Sequence, residues 1–175
     1  SISCPFLGNL DLFQPGLAGL RPMFLPLILI RLQAGADSIS VLATGVEDGQ
    51  ARWKPESNQW SILEVVNHLA DKEVEDFRAR LDFTLNRPYE SWPPINPEEW
   101  LEERSYNSRS LDKSLDRFLT RRRESLAFLQ ELESPDWTVA YEHPRLGAIT
   151  AGDLLTSWVA HDYRHIGQLT RLHRE

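Results

Sequence analysis

Residues 60–73 read WSILEVVNHLADKE, and the rest of the chain is interpreted outward from them. Ser61 stands where an N-cap belongs, and Glu64 three positions on completes a capping box. Trp60 and Val65 occupy the two positions of a hydrophobic staple. A helix therefore opens at Ser61, and the spacing of Leu69, Phe77 and Leu81 carries it to Pro88. At 1.5 Å per residue that helix is about 39 Å long. A single helix cannot bury its own apolar stripe, so the flanking chain must supply partners.

Upstream, residues 27–46 place Ile28, Leu32, Ile39 and Leu42 on one helical face, with a stop expected at Glu47-Asp48-Gly49. Downstream, residues 87–107 are rich in Pro and Trp (Pro88, Trp92, Pro93, Pro94, Pro97, Trp100). This connection reaches about 70 Å if extended, enough to cross a bundle and return the next helix parallel to the last. A third helix follows through Leu111, Leu115, Phe118, Leu119, Leu126, Leu129 and Leu132, ending at Ser134-Pro135. After a loop with Pro144 and Gly147, a fourth opens on Thr150, with Asp153 at its third position and Ile149 and Leu154 as a staple. No stretch alternates as a strand. The expectation is an all-α four-helix bundle with a long crossover between helices 2 and 3.

The 175 residues are 41% hydrophobic and 26% charged, which fits one core. We read residues 1–25 as an N-terminal arm and 26–175 as the domain. Nineteen basic against 26 acidic residues give a net charge of −7, a poor field for a nucleic-acid partner. The basic run Arg117, Arg121, Arg122, Arg123 scatters around its helix beside Asp116 and Glu124, and is expected to form a solvated face. Cys4 is the single cysteine, so no internal disulfide forms. The apolar run from Met23 to Ile30 contains Pro26 and ends at Arg31, too short to span a bilayer. A cytoplasmic protein without a membrane partner is expected.

Chemistry gathers on three histidines. His161 and His165 stand four apart in HDYRH, so both project from one face. That face continues through Leu154, Trp158, Gln168 and Leu172, which makes it the seam toward the core. His68 lies about two turns into the second helix, one turn past Glu64. Two imidazoles from one helix and a third from its neighbour can converge on one cation and leave a coordination position open, as catalytic sites do. On spacing alone, hydrogen-bonded core histidines are the competing reading. Two imidazoles and Gln168 on one seam favour the site, since each would otherwise need its own buried partner.

WSILEVVNHLADKE together with HDYRHIGQL (residues 161–169) resembles the DinB-like family of metal-binding four-helix bundles, whose pattern is W-S-x-x-E-x-x-x-H-L, then H-x-x-x-H followed by Gln. The likeness runs in outline from Ile28 to Leu172 and includes Asp136-Trp137 and the His143–Gly147 element. It implies His68, His161 and His165 as ligands of nickel, zinc or iron(II), and it makes a homodimer plausible. Some members transfer low-molecular-weight thiols to electrophiles, and others are linked with hydrolysis. Three readings follow: a metal-dependent thiol S-transferase acting on small electrophiles, a metal-dependent hydrolase, or a non-catalytic metal-binding stress-response module. A divalent ion on three neutral ligands serves the first two, activating a thiol or a water.

The accompanying residues each carry two readings. Glu64 could orient an imidazole or accept a proton, or simply complete its capping box. Gln168 could bond a water or substrate, or pack between helices. Glu73 is either a buried carboxylate behind the ligands or a surface group. Asp162 should turn away from the seam, and His143 and His173 are not favoured as ligands. Trp53, Trp60, Trp92, Trp100 and Trp137 lie in or beside connections, where they seal the bundle ends or floor a pocket.

Overall fold

The computed structural model describes residues 25–173. Apart from Leu25, the expected arm and Cys4 lie outside the described residues. Helix α1 (Leu25–Ala43) is followed by a short α2 (Asp48–Arg52). The first helix ends earlier than its apolar pattern suggested, because the left-handed stop is Gly45 (φ 76°) and not Gly49, which sits inside α2. By length and composition α1 could cross a membrane, yet Ile28, Leu32, Ala36 and Ile39 turn one of its faces into the core.

The deciding stretch forms α3 (Ile62–Lys72), which runs through a π-helical turn (Glu73–Arg78) into α4 (Ala79–Asn86) as one continuous column. Ser61 caps it, and its capping box with Glu64 is complete. The π turn was invisible to a 3.6-residue pattern, since it widens the helix locally without breaking it. The crossover then carries α5 (Trp100–Glu103) and a 3₁₀ turn (Tyr106–Ser108) before α6 (Leu111–Gln130).

Between α6 and the last helix, β1 (Ala140–His143) and β2 (Gly147–Thr150) pair antiparallel, with Tyr141 opposite Ile149. No strand was expected here. Four-residue strands are too short for alternation to register, and Gly147 (φ 74°) supplies the turn. Thr150 then caps α7 (Ala151–Leu172) in a second capping box with Asp153.

Side-chain contacts fix the helix directions. Asn67 bonds Ser114, Glu73 meets Arg122 and Arg78 meets Glu124, so both partners advance together and α6 runs parallel to the α3–α4 column. His68 meets His161 while Phe77 stacks on Trp158, so α7 runs antiparallel to that column. The long connection is therefore a true crossover. Tyr106 and Arg104 anchor it by bonding the buried Asp71 of α3, at 2.5 and 2.8 Å.

The apolar core divides in two. One half gathers Ile39, Ile62, Val66, Leu115, Phe118 and Leu169; the other gathers Ile28, Leu32, Phe77, Leu81, Leu129 and Trp158. Where the halves meet lies a buried polar layer of Glu73, Arg122, His161, Asp162 and His165. Polar side chains are buried at this depth only with partners, and these partners define the site.

Candidate metal centre

The three histidines converge in the structure. His68 Nε2 and His165 Nε2 each lie 3.2 Å from His161 Nε2, and one nitrogen from each ring falls within 4.8 Å of the others. All three rings are almost fully buried. Trp60 meets His68 edge-on at 4.7 Å, and Phe77 meets His161 edge-on at 5.2 Å, so aromatic walls keep bulk water from the rings.

Burial holds all three imidazoles well below their ordinary pKa, reinforced by Lys72 and Arg164 nearby; for His165 the value falls to about 3. The rings are therefore neutral at pH 7, the form that binds metal. Gln168 Oε1 lies 2.8 Å from His165 Nδ1 and accepts a hydrogen bond from it, so His165 Nε2 presents a lone pair to the other two rings. This neutral, nitrogen-only donor set suits zinc, nickel, copper or iron(II) and disfavours hard cations such as magnesium. Three basic nitrogens packed at 3.2 Å without enough protons to share repel one another, and a cation among them removes that conflict. His68 Nδ1 is buried with no partner, which shows how little else holds that ring. The residues fit a divalent ion.

Of the two residues expected to assist, Gln168 sits on the cluster. Glu64 does not hydrogen-bond an imidazole: its Oε2 accepts from the Ser61 backbone N–H, and its Oε1 lies 2.6 Å from Lys54 Nζ. Capping therefore accounts for one of its oxygens and the Lys54 ion pair for the other. His143 lies on the hairpin and His173 contacts the Leu42 carbonyl, both away from the cluster.

Two expectations need correction. Asp162 does not turn away from the seam, and Arg122 is not part of a solvated face. Both are 1% exposed and paired with each other at 2.7 and 2.9 Å. The same guanidinium donates to Glu73 Oε1 at 2.6 Å and to the Leu32 carbonyl at 2.6 Å, and the Trp158 N–H donates to Glu73 at 2.8 Å. Arg122 thus ties α1, the π turn, α6 and α7 together, reaching α7 at Asp162, next to His161. Gly35 lets α1 approach: a Cβ there would lie 2.5 Å from Asp162 Oδ2. The carboxyl of Asp162 is lifted by burial to about 6, with Arg122 pulling against that rise. Glu73 is the buried carboxylate of its two readings. Arg117 and Arg121 are half-buried and pair with Asp71 from α6, while Arg123 is exposed as expected.

Lys72 was missed altogether. It is buried four residues after His68, ion-paired with Asp76, with its Nζ 5.2 Å from the Phe77 ring centre. The i,i+4 relation to His68 was the available signal.

Comparison with known proteins agrees with this fold. YfiT of Bacillus subtilis, a solved structure described as a probable metal-dependent hydrolase with an unusual four-helix bundle topology, superposes with a TM-score of 0.79. It is 20% identical, over 93% of this chain and 92% of YfiT, a likeness that establishes the fold. A protein of Oceanobacillus iheyensis, provisionally named a metal-dependent hydrolase, is 26% identical over 117 residues, covering 66% of each chain and so just under two thirds of that relative's length. The DinB superfamily model matches residues 31–169, which include all three histidines, both capping boxes and the crossover. The chain belongs to the DinB superfamily.

Proposed function

We propose that this protein is a divalent-metal-dependent hydrolase of small molecules, with His68, His161 and His165 as its metal ligands and nickel, zinc or iron(II) as the ion. The observation that carries the reading is the convergence of three neutral, buried Nε2 atoms at 3.2 Å spacings. The printed descriptions of the two relatives support hydrolysis. When bound, such an ion supplies a Lewis acid that eases deprotonation of a water or a thiol. Gln168 holds His165 in the tautomer that leaves Nε2 bare, and Arg122 holds α7 against the π turn so that His161 faces His68. Lys72 adds positive charge beside the rings, which favours negative charge developing at the reacting atoms.

Thiol S-transfer is the second reading. What supports it is the same neutral three-imidazole set, which would let a bound ion take an incoming thiol as readily as a water. A turnover panel of small esters, amides and electrophiles separates the readings, run with and without a low-molecular-weight thiol on nickel- or zinc-loaded protein. Hydrolysis without thiol, lost in His161→Ala, is the expected result. Turnover only with thiol would move the assignment to transfer. Turnover undiminished in His161→Ala would overturn both, and no turnover on any substrate would favour a stabilising metal module.

A further inference from the structure

At the other end of the α3–α4 column, Arg80 is held in an unusual way. It follows Asp76 by four residues, and its side chain is only 19% exposed. The face of its guanidinium lies 4.9 Å from the Trp92 ring. Trp92 comes from the crossover, stacks on Tyr141 of the hairpin at 4.2 Å, and donates its N–H to Thr84 of α4 at 3.2 Å. The aromatic plate beneath Arg80 is therefore fixed from three sides. His143 completes the wall, 6.0 Å from Trp92 and 6.3 Å from Tyr141. Strand alternation puts Tyr141 and His143 on the same side of β1 and turns Glu142 to the other, so the hairpin brings no carboxylate to this side.

Asp76 touches one edge of the guanidinium and leaves the other unengaged. Its Nε lies 2.9 Å from Asp76 Oδ1, yet neither atom makes an aligned hydrogen bond, and Asp76 Oδ2 is taken by Lys72. The two Nη groups have no partner among the described residues. Asp76 meets only the Nε edge of the guanidinium, which leaves the Nη edge open to a second anion. Burial lowers its pKa to about 10, and Arg80 and Arg145 reinforce burial in holding His143 below its usual value, so this end of the molecule is rich in positive charge.

We propose that Arg80, laid on Trp92 and walled by Tyr141 and His143, is a binding site for the oxyanion of a small molecule, a carboxylate or a phosphate, which its two Nη groups grip as a fork. A planar fork held on an aromatic plate matches either anion with two parallel hydrogen bonds. The site is separate from the three histidines and does not rest on the hydrolase reading. Twelve residues divide His68 from Arg80, about 18 Å of helix.

The test is a titration of the ¹⁵N-labelled full chain, stripped of metal by chelator so that the histidine cluster cannot take the anion. Sodium acetate and inorganic phosphate are each compared with sodium chloride at equal ionic strength. The expected result is a saturable shift of the Trp92 indole N–H and of the amides of residues 140–150, with either acetate or phosphate but not with chloride. The tighter of the two identifies the ligand as a carboxylate or a phosphate. In Arg80→Gln the affinity should fall at least tenfold. Should that variant lose its dispersed spectrum, Arg80→Lys, which keeps a cation beside Asp76 but not the fork, should bind at least fivefold more weakly than the native chain. Shifts that never saturate, that chloride reproduces, or that persist in a folded Arg80 variant would overturn the proposal.

Discussion

A single side chain, Arg122, decides how the four helices meet at the histidines. It neutralises Glu73 and Asp162 at once, and removing it would leave two carboxylates in a space without water. Arg122→Met is expected to cost about 3–5 kcal/mol in urea unfolding. Gln168 should behave differently, because its described hydrogen bond is to His165 and it joins no buried ion pair. Gln168→Ala is expected to leave the melting temperature of the metal-free protein nearly unchanged while weakening metal affinity roughly 10–100-fold, measured by competition with a chromophoric chelator. Equal affinity in variant and native protein would remove Gln168 from the site. At this scale the sequence was legible where spacing speaks. HDYRH put two imidazoles on one face, and WSILEVVNH put the third two turns into a capped helix. It was illegible where residue type misled. Arg122 falls on the Leu115, Phe118, Leu129 stripe, but an arginine in a cluster of four was read as solvated, and Asp162, next to His161, was expected to turn away from the seam.

Among elements, the crossover is the one whose path no pattern could give. The connection between the second and third helices was long enough to cross, and reach alone allowed a parallel return. What realises that return is the buried Asp71, which receives Tyr106 and Arg104 from the crossover and Arg117 and Arg121 from α6. Burial pushes this carboxyl up, but Tyr106, Arg104 and Arg117 together pull it below its ordinary value. A depressed folded-state pKa contributes stability above the unfolded value of about 3.9, lost as pH falls through the folded value. Asp71→Asn is therefore expected to lower the melting temperature by a constant amount from pH 7 to about pH 5, with the gap to the native protein closing as pH falls below about 4. A gap independent of pH down to pH 3 would show that the carboxylate charge does not hold the crossover. The hairpin escaped notice because four residues per strand are too few to show a period of two. It nevertheless carries Tyr141 and His143, which face Trp92.

For the whole molecule, the bundle was the easiest feature to foresee, because four amphipathic stretches have few other ways to bury their stripes. Less foreseeable was the division of the core into two apolar halves around a polar layer, since no helix contributes more than three of that layer's residues. Such a layer makes stability depend on occupancy. Metal at 100 times its dissociation constant should add about 2.7 kcal/mol, or roughly 5–10 °C in melting temperature for a chain of this size. His161→Ala should show no such rise. A homodimer remains a proposal, which sedimentation of the metal-loaded chain would check by giving twice the mass of 20.2 kDa. Everything proposed for the site depends on three buried imidazoles holding one divalent ion. Elemental mass spectrometry tests it most directly, on tag-free native protein and His161→Ala loaded in parallel with nickel and with zinc, then desalted exhaustively. One ion per native chain and none per variant chain is the predicted result. Negligible metal in both, or equal metal in both, would contradict it.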